Sequence, residues 1–431
     1  MAGTSAAHDL TSERAAAEEI FRRAVAAADP AAAVVAALDQ RQETLGQARG
    51  IILVAFGKAA IEMAEAAMPR LGDRLTRAVI VTTPQAARPV AGAEVIAGNH
   101  PTPDEGSERG AAAIEAAAES AGADDLVLVL VSGGGSALVT APAEGLTLAD
   151  KIAVNDALLA CGAPIGEVNT VRRRLSRLKG GGLLARAAPA RVLSLILSDV
   201  PGDDPRAVAS GPSVPSADAP DAALKIVERY GITARLPDVA LARIRDMRPA
   251  DQSVLAEHET VIVGSNDLSC REAAAAAAEA GYQVERLDGW LEGDVAAVAD
   301  RLHSLAATHA ARRSPVAIIA GGESTVILRG NGKGGRNQEM ALRFALLDEA
   351  APIGCPWVFL SGGTDGRDGP TDAAGALVDP GSLARMRAIG LSPIEHLERN
   401  DSHPVLAASG DLVMTGATGT NVADVQIVLL R

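Results

Sequence analysis

The stretch Leu126-Val-Leu-Val-Leu-Val-Ser-Gly-Gly-Gly-Ser136 decides the fold class. Six aliphatic residues without a polar interruption read as a strand buried on both faces, the situation of a strand inside a helix-covered parallel sheet. The run then stops at Ser132, Gly133, Gly134, Gly135 and Ser136, where missing side chains let backbone N–H groups close on a ligand. Similar junctions follow: Trp357 to Leu360 runs into Ser361-Gly-Gly-Thr-Asp365, and Val326-Ile-Leu-Arg leads into glycines at 330, 332, 334 and 335. In that last loop Lys333 and Arg336 add cations where a helix dipole is already positive, which is chemistry for a phosphate. Three strand-to-glycine-loop junctions predict a site that wraps a polyphosphate.

Working outward, short apolar runs alternate with Ala-rich helical patterns. Ile51 to Phe56, Ala78 to Thr82, Glu94 to Ala97 and Val192 to Leu197 read as further buried strands, with helices over Ala59 to Leu71, Glu105 to Ala121 and Leu148 to Cys161 between them. This is α/β with a mainly parallel sheet. Helical sequence continues to about Arg248, Pro249 to Ser253 reads as a linker, and a second α/β series opens at Thr260 to Val263. It continues with strands at Tyr282 to Glu285, Val316 to Ala320, Thr325 to Leu328, Trp357 to Leu360, Leu412 to Thr415 and Asp424 to Leu430. Two domains are expected, an N-terminal Rossmann-like one over residues 10–250 and a C-terminal α/β one over 251–431.

Composition narrows the ligand. Aromatic residues make up only 2% of the 431, so the cores must be built from Ala, Val, Leu and Ile. A net charge of −14 argues against nucleic-acid or membrane-surface partners, because a phosphate backbone would be repelled, and points to a small ligand with a divalent metal. Cys161, Cys270 and Cys355 follow no Cys-x-x-Cys spacing and read as reduced thiols of a cytoplasmic protein without structural zinc. The start of the chain has no secretory pattern, and the uncharged stretch Leu126 to Ala143 is broken by glycines and Pro142.

In a parallel sheet, ligands sit beyond the carboxyl ends of the strands. Here those positions hold Gly57-Lys58, Gly98-Asn99-His100, Ser132 to Ser136, Ser198-Asp199, Gly264 to Asp267, Gly321-Gly-Glu323 and Ser361 to Asp365. Tight turns favour the same residue types whatever the function, so each loop also has a reading as a turn. Lysine occurs only at 58, 151, 179, 225 and 333. Lys58 opens a helix, where a cation is unfavourable unless an anion lies between them. Asp199 is suited to bind magnesium or accept a hydroxyl proton, against an Asx-turn before Pro201. From Asn169 to Gly182, helical spacing puts Arg172, Ser176 and Lys179 on one face, able to reach a carboxylate or phosphate or to form a solvated basic face. His100 has no partner at zinc-ligand spacing and reads as a loop anchor.

Together these blocks resemble the class II glycerate 2-kinases, a family with an N-terminal domain of its own type and a C-terminal MOFRL domain, whose members often carry the name hydroxypyruvate reductase. The resemblance rests on Phe56-Gly-Lys-Ala59, Gly98-Asn-His-Pro-Thr-Pro-Asp-Glu105, Ser132 to Ala137, Asn169 to Gly181, Leu197-Ser-Asp-Val-Pro-Gly-Asp203, Ala209-Ser-Gly-Pro212, Gly321-Gly-Glu323, Gly334-Gly-Arg-Asn-Gln-Glu339, Gly363-Thr-Asp-Gly366, Gly369 to Gly375 and Thr418-Gly-Thr-Asn-Val422, in order along the chain. It implies ATP- and Mg2+-dependent phosphorylation of D-glycerate at the 2-hydroxyl; whether as a monomer or a homodimer stays open. It also implies a mixed sheet in the second domain, a MOFRL region over about 315–425, and a cleft between the domains with Lys58 and Arg336 on its walls. The implied contacts are Ser132 to Ser136, Asn169, Arg172, Lys179, Glu323, Lys333, Gly335, Asn337, Glu339 and Thr364, with Asp199 and Asp365 for the metal. Where the family carries a Lys-His pair, this chain has Arg173-Arg174.

Phosphoryl transfer needs positioning and charge neutralisation rather than a protein nucleophile, and the loops, cations and Asp residues supply both. No Walker A pattern exists, so a P-loop kinase is excluded. The alternative is an NAD(P)H-dependent hydroxypyruvate reductase, because Gly330-x-Gly332-x-x-Gly335 formally satisfies the dinucleotide pattern; its expected acidic partner is absent, Asp365 lying about thirty positions on. A non-catalytic sugar-acid sensor would not need Asp199 and Asp365.

Overall fold

The apolar runs of the first half become one sheet. Its strands are β1 (Ile51–Phe56), β2 (Leu75–Thr82), β3 (Glu94–Ala97), β4 (Leu126–Val131), β5 (Arg191–Leu197) and β6 (His258–Gly264), in the order β3-β2-β1-β4-β5-β6. The computed structural model describes residues 9–246, 255–312 and 314–431. It divides the chain into two units: Pro30–Val263, and a second built from the residues up to Asp29 with Gly264–Arg431.

In the first unit β1 pairs in parallel with both β2 and β4, and β2–β3 and β4–β5 are parallel as well. Every residue of β1 and β4 is buried, which is why neither strand alternates polar with apolar. Ile52, Val54 and Phe56 pack into an aliphatic cluster with Ile114 and Leu184, while the helix Ala60–Leu71 packs on the same strand and its neighbour β2. The helices start where the sequence provides caps: Asp104 and Ser107 form a capping box for Glu105–Glu119, as Thr147 and Asp150 do for Leu148–Ala160.

The second unit is mixed. Its strands are β7 (Gln283–Arg286), β8 (Leu291–Asp294), β9 (Val316–Thr325), β10 (Trp357–Gly363), β11 (Gly375–Val378), β12 (Leu412–Val413) and β13 (Asp424–Leu430). They run in the order β12-β11-β10-β13-β9-β7, with β8 also paired to β9. The pairs β9–β13, β13–β10, β10–β11 and β11–β12 are antiparallel, and β7–β9 and β8–β9 are parallel. Three of the few aromatic residues gather here, Phe344 lying 4.3 Å from Phe359 and 5.1 Å from Trp357 between ring centroids.

Several expectations are corrected. The run Thr260 to Val263 does not open the second series but completes the first sheet as β6, beside β5; a short apolar run carries no information about which sheet it joins. The helix Thr11–Ala26, expected in the first domain, belongs to the second unit. Its Ala17, Ile20, Phe21 and Ala24 share a core with Cys270, Ile319 and Leu360, and Arg23 pairs with Glu272 and Glu279. No strand forms over Val326 to Leu328: β9 stops at Thr325, and Ile327 and Leu328 are 58% and 79% exposed. β-branched residues make a strand only where a neighbouring strand takes their backbone groups. The Pro249 to Ser253 stretch read as a linker lies outside the described residues.

Candidate active site

The chain leaves β1 toward β2 on one side, while β4 flanks β1 on the other, so β1 and β4 bracket the point where the strand order reverses. That is where open parallel sheets bind ligands. The loops after these two strands are joined backbone to backbone. Lys58 N–H donates to the Gly133 carbonyl (2.9 Å), Ser132 N–H to that of Phe56 (3.1 Å), and Ala59 N–H to Ser132 Oγ (3.0 Å). Gly57, at φ 130°, has to be glycine because a Cβ there would collide with Ser132.

Three side chains meet over this junction. A Cβ on Gly134 would lie 3.4 Å from Lys58 Cγ and 3.2 Å from His100 Cδ2, and one on Gly133 would run into the Asp199 carboxylate. Lys58 is exposed and stands two residues ahead of the helix Ala60–Leu71, so its ammonium is available to an anion held at the loop. Burial, and then the Lys58 charge, hold His100 below its ordinary pKa, so its ring is neutral near pH 7. From sequence alone His100 reads as a loop anchor. Its position after β3, in the same set of strand-end loops as Lys58, is the signal that marks it.

The other end of the β4 loop is held from inside the first unit. Lys179 Nζ donates to the Ser136 carbonyl (2.7 Å) and to Ser136 Oγ (3.0 Å). Ser136 Oγ lies 3.0 Å from Ser210 Oγ, which donates to Asn169 Oδ1 (2.9 Å). The structure therefore brings Ser136, Asn169 and Lys179 together, but not through one helix face. The helix Ile165–Arg174 stops before Ser176, which bridges to Pro142, and Lys179 sits in the following turn. Arg172 is on that helix, donating through Nε to Asn155 Oδ1 (3.0 Å).

In the second unit the first half of the glycine loop makes protein contacts through its backbone N–H groups, a use the phosphate-loop reading did not anticipate. Arg329 and Gly330 N–H donate to Asn400 Oδ1 (2.6 and 3.0 Å), Gly332 N–H to the Arg399 carbonyl (3.1 Å) and Lys333 N–H to Asp401 Oδ1 (2.8 Å). A Cβ on Gly330 would lie 2.5 Å from the Arg399 carbonyl oxygen, and Cβ atoms on Gly332, Gly334 and Gly335 would collide with Asp401, Ser402 and Asp368. The glycines admit another stretch of backbone. At the start of the helix Arg336–Ala350, the anion is Asp368, which accepts from Asn337 N–H (3.1 Å) and Gln338 N–H (2.8 Å). Burial pushes the Asp368 carboxyl up to about 6 against these donors.

Arg336 leads the same helix and is clamped by carboxylates. Nε and Nη2 donate to the two oxygens of Asp424 (2.6 and 2.9 Å) and Nη1 to Glu323 (2.8 Å). Burial disfavours its charge, but the Asp424 hydrogen bonds and charge outweigh that and hold the guanidinium above its ordinary pKa. Asp424, wholly buried at the head of β13, is pushed up by burial and drawn back by Arg336. The remaining expected residues of this unit have structural partners. Asn337 accepts from Ser361 Oγ (2.6 Å), and Glu339 takes Arg343 and Asn400 (2.8 and 3.0 Å). Thr364 binds the Ala423 carbonyl and Val422 N–H (2.7 and 2.9 Å), and Asp365 caps its own turn at Arg367 N–H (2.9 Å). Lys333 is exposed, 3.8 Å from Asp372. Among the described residues no group of three or more His, Cys, Asp or Glu could hold a metal ion, and none of the helices is long and apolar enough to cross a membrane.

A doubly wound sheet with a lysine-bearing junction at its switch point, followed by a mixed-sheet unit whose leading arginine is clamped by carboxylates, defines a two-unit α/β protein without a P-loop. Comparison with known proteins makes this particular. Residues 16–245 match the family described as "Domain of unknown function (DUF4147)" and residues 316–424 match the MOFRL family. The chain is 42% identical over 419 residues to a protein of Agrobacterium vitis named "Putative hydroxypyruvate reductase", covering 95% of this chain and 93% of that one. It is 38% identical over 420 residues to the D-glycerate 2-kinase of Thermotoga maritima, covering 96% and 97%. The crystal structure of a glycerate kinase from Thermotoga maritima superposes with a TM-score of 0.88 at 37% identity, over 97% of this chain and 100% of that one. The chain belongs to the class II glycerate 2-kinase family, in which a DUF4147 domain precedes a MOFRL domain.

Proposed function

We propose that this protein is a D-glycerate 2-kinase, transferring the γ-phosphoryl group of ATP to the 2-hydroxyl of D-glycerate with Mg2+. The observation that carries the reading is the β1–β4 junction, where an exposed lysine stands over a backbone loop at the switch point of a parallel sheet, in a chain aligned nearly end to end with a D-glycerate 2-kinase. Lys58 neutralises charge on the transferring group, and the preorganised loop supplies orientation. Asp199, leaning over Gly133, is suited to a magnesium ion that keeps most of its ligands as water and phosphate oxygens, or to the proton of the attacking hydroxyl. Arg336 carries positive charge that its clamp of Asp424 and Glu323 fixes in direction.

The reductase reading has less support in this geometry. The first strand-to-helix turn, Gly57-Lys-Ala-Ala-Ile61, lacks the second and third glycines that admit a pyrophosphate. The pattern at Gly330 to Gly335 does not directly follow a strand, and the N–H groups of Gly330, Gly332 and Lys333 are bonded to Asn400, Arg399 and Asp401. Purified protein with ATP, Mg2+ and D-glycerate is expected to release ADP, and phosphorus NMR is expected to show 2-phosphoglycerate. NADH or NADPH oxidation with hydroxypyruvate and no ADP release would overturn the proposal, and 3-phosphoglycerate as product would overturn its regiochemistry.

A further inference from the structure

Behind the β4 loop the first unit holds positive charge that, among the described residues, no carboxylate pairs with. Lys179 is 6% exposed, and its Nζ donates to Ser136 alone, through two neutral oxygens. Lys151 Nζ donates to the Leu175 carbonyl (3.1 Å), and Arg172 Nε to the amide oxygen of Asn155. The charges acting on Lys179 are Lys151 and Arg172, and those acting on Lys151 are Arg172 and Arg177. Arg177 has its own carboxylate, Glu115, at 2.9 Å. Burial and then these like charges depress Lys179 well below its ordinary range and Lys151 to about 7.

A chain with 54 acidic residues had every opportunity to place one here. Buried cations of like sign repel, and an apolar side chain of similar size would pack more cheaply. The arrangement becomes favourable when a small anion completes it. Lys151, Arg172 and Ser136 are only part-buried, so the cluster has a solvent side.

We propose that Lys151, Arg172 and Lys179 form the seat for the carboxylate of the acceptor substrate, beside the Ser136 end of the β4 loop. This rests on the kinase reading and deepens it. In a 2-hydroxy acid the reacting oxygen is two bonds from the carboxylate carbon, so both must be received by the same few residues. The loop Ser132 to Ser136 meets that need, with Lys58 and Asp199 at its Gly133–Gly134 end and Lys179, on which the charges of Lys151 and Arg172 act, at its Ser136 end.

The test uses Lys151→Met and Arg172→Met, which keep the stem volume and remove the charge, with Lys179→Met as a third variant. For both of the first two, the KM for D-glycerate is expected to rise tenfold or more while the KM for ATP stays within twofold and the protein remains folded. A rise confined to the KM for ATP would show a nucleotide-phosphate site and overturn the proposal, as would no change in either constant. Calorimetric titration with D-glycerate, and with neutral glycerol as control, separates this from the kinase reading. Should the wild-type release no ADP, the kinase reading fails alone. A tenfold or greater loss of D-glycerate affinity in the variants then still supports the site, and equal binding by the wild type and the variants, or none by the wild type, overturns it.

Discussion

Two glycine loops of nearly identical promise, Ser132 to Ser136 and Gly330 to Gly335, have opposite fates. In the first unit the loop lies at the switch point with Lys58, His100 and Asp199 around it. In the second, the N–H groups of Gly330, Gly332 and Lys333 are taken by Asn400, Arg399 and Asp401, and that of Asn337, at the helix start, by Asp368. Glycine reports that backbone or ligand comes close; it does not report which. What separates the two loops is the strand order before them, since only the first follows a central parallel strand where the order reverses.

Substitutions at the two loops should break down along that line. The largest effect is expected at Lys58: Lys58→Ala should lower kcat by about 10²-fold or more, the scale of one preorganised electrostatic donor. Its circular dichroism and melting should remain those of the wild type, because an exposed cation ahead of a helix start supports no packing. Lys58→Arg should not restore the rate, since a planar fork does not replace a compact ammonium at a crowded glycine turn. A folded Lys58→Ala enzyme with normal kcat would make this lysine a bystander.

A smaller loss is expected for Asp199→Asn, which keeps one oxygen ligand but no charge: turnover should fall and the magnesium dependence should move to higher concentration. Normal turnover at ordinary magnesium would return Asp199 to the role of a turn residue. In the second loop, Gly332→Ala should act on stability instead. Crowding against Asp401 is expected to cost about 1–3 kcal/mol, read as a lowered denaturant midpoint, with the KM for ATP unchanged in the folded fraction. A raised KM for ATP without destabilisation would restore the phosphate-loop reading.

A pH-dependent effect separates the buried cations from both loops. Lys151 titrates at about 7 in the folded chain against 10.5 when unperturbed. Between those values the unfolded chain binds more protons, so this group makes stability rise with pH from about 7 to about 10. Lys151→Met should therefore melt higher than the wild type at pH 7 and below, with the gap closing as pH rises through that window. A constant gap across the window would mean that Lys151 stays charged in the fold.

The fold of the first unit was legible because burial on both faces leaves β1 and β4 as unbroken aliphatic runs between capped helices. The second unit was less so. Its short strands β8 and β11, Leu-Glu-Gly-Asp and Gly-Ala-Leu-Val, are recognised only by their partners. The run Val326 to Leu328, with Ile327 and Leu328 exposed, has a strand's composition without a strand's neighbours. At the site, Lys58 and Asp199 follow directly from strand ends, whereas Asp368 and the Lys151 cluster depend on contacts between distant segments. Asp424 left one trace: it is the sole acidic residue heading an otherwise nearly apolar strand, Asp424–Leu430, and such a carboxylate implies a cation at that end.

The division of the chain has a consequence for how the protein is made. The unit Pro30–Val263 is continuous, so all its strands are available once residue 263 has left the ribosome. The other unit starts with Thr11–Ala26 and must wait for β13, which lies between β9 and β10 in the interior of its sheet. During synthesis the apolar face of that first helix, Ile20 and Phe21 included, is without its core while more than two hundred and thirty intervening residues emerge. The nascent chain thus carries an early hydrophobic segment whose partner arrives last, a natural substrate for chaperones that hold apolar helices during translation.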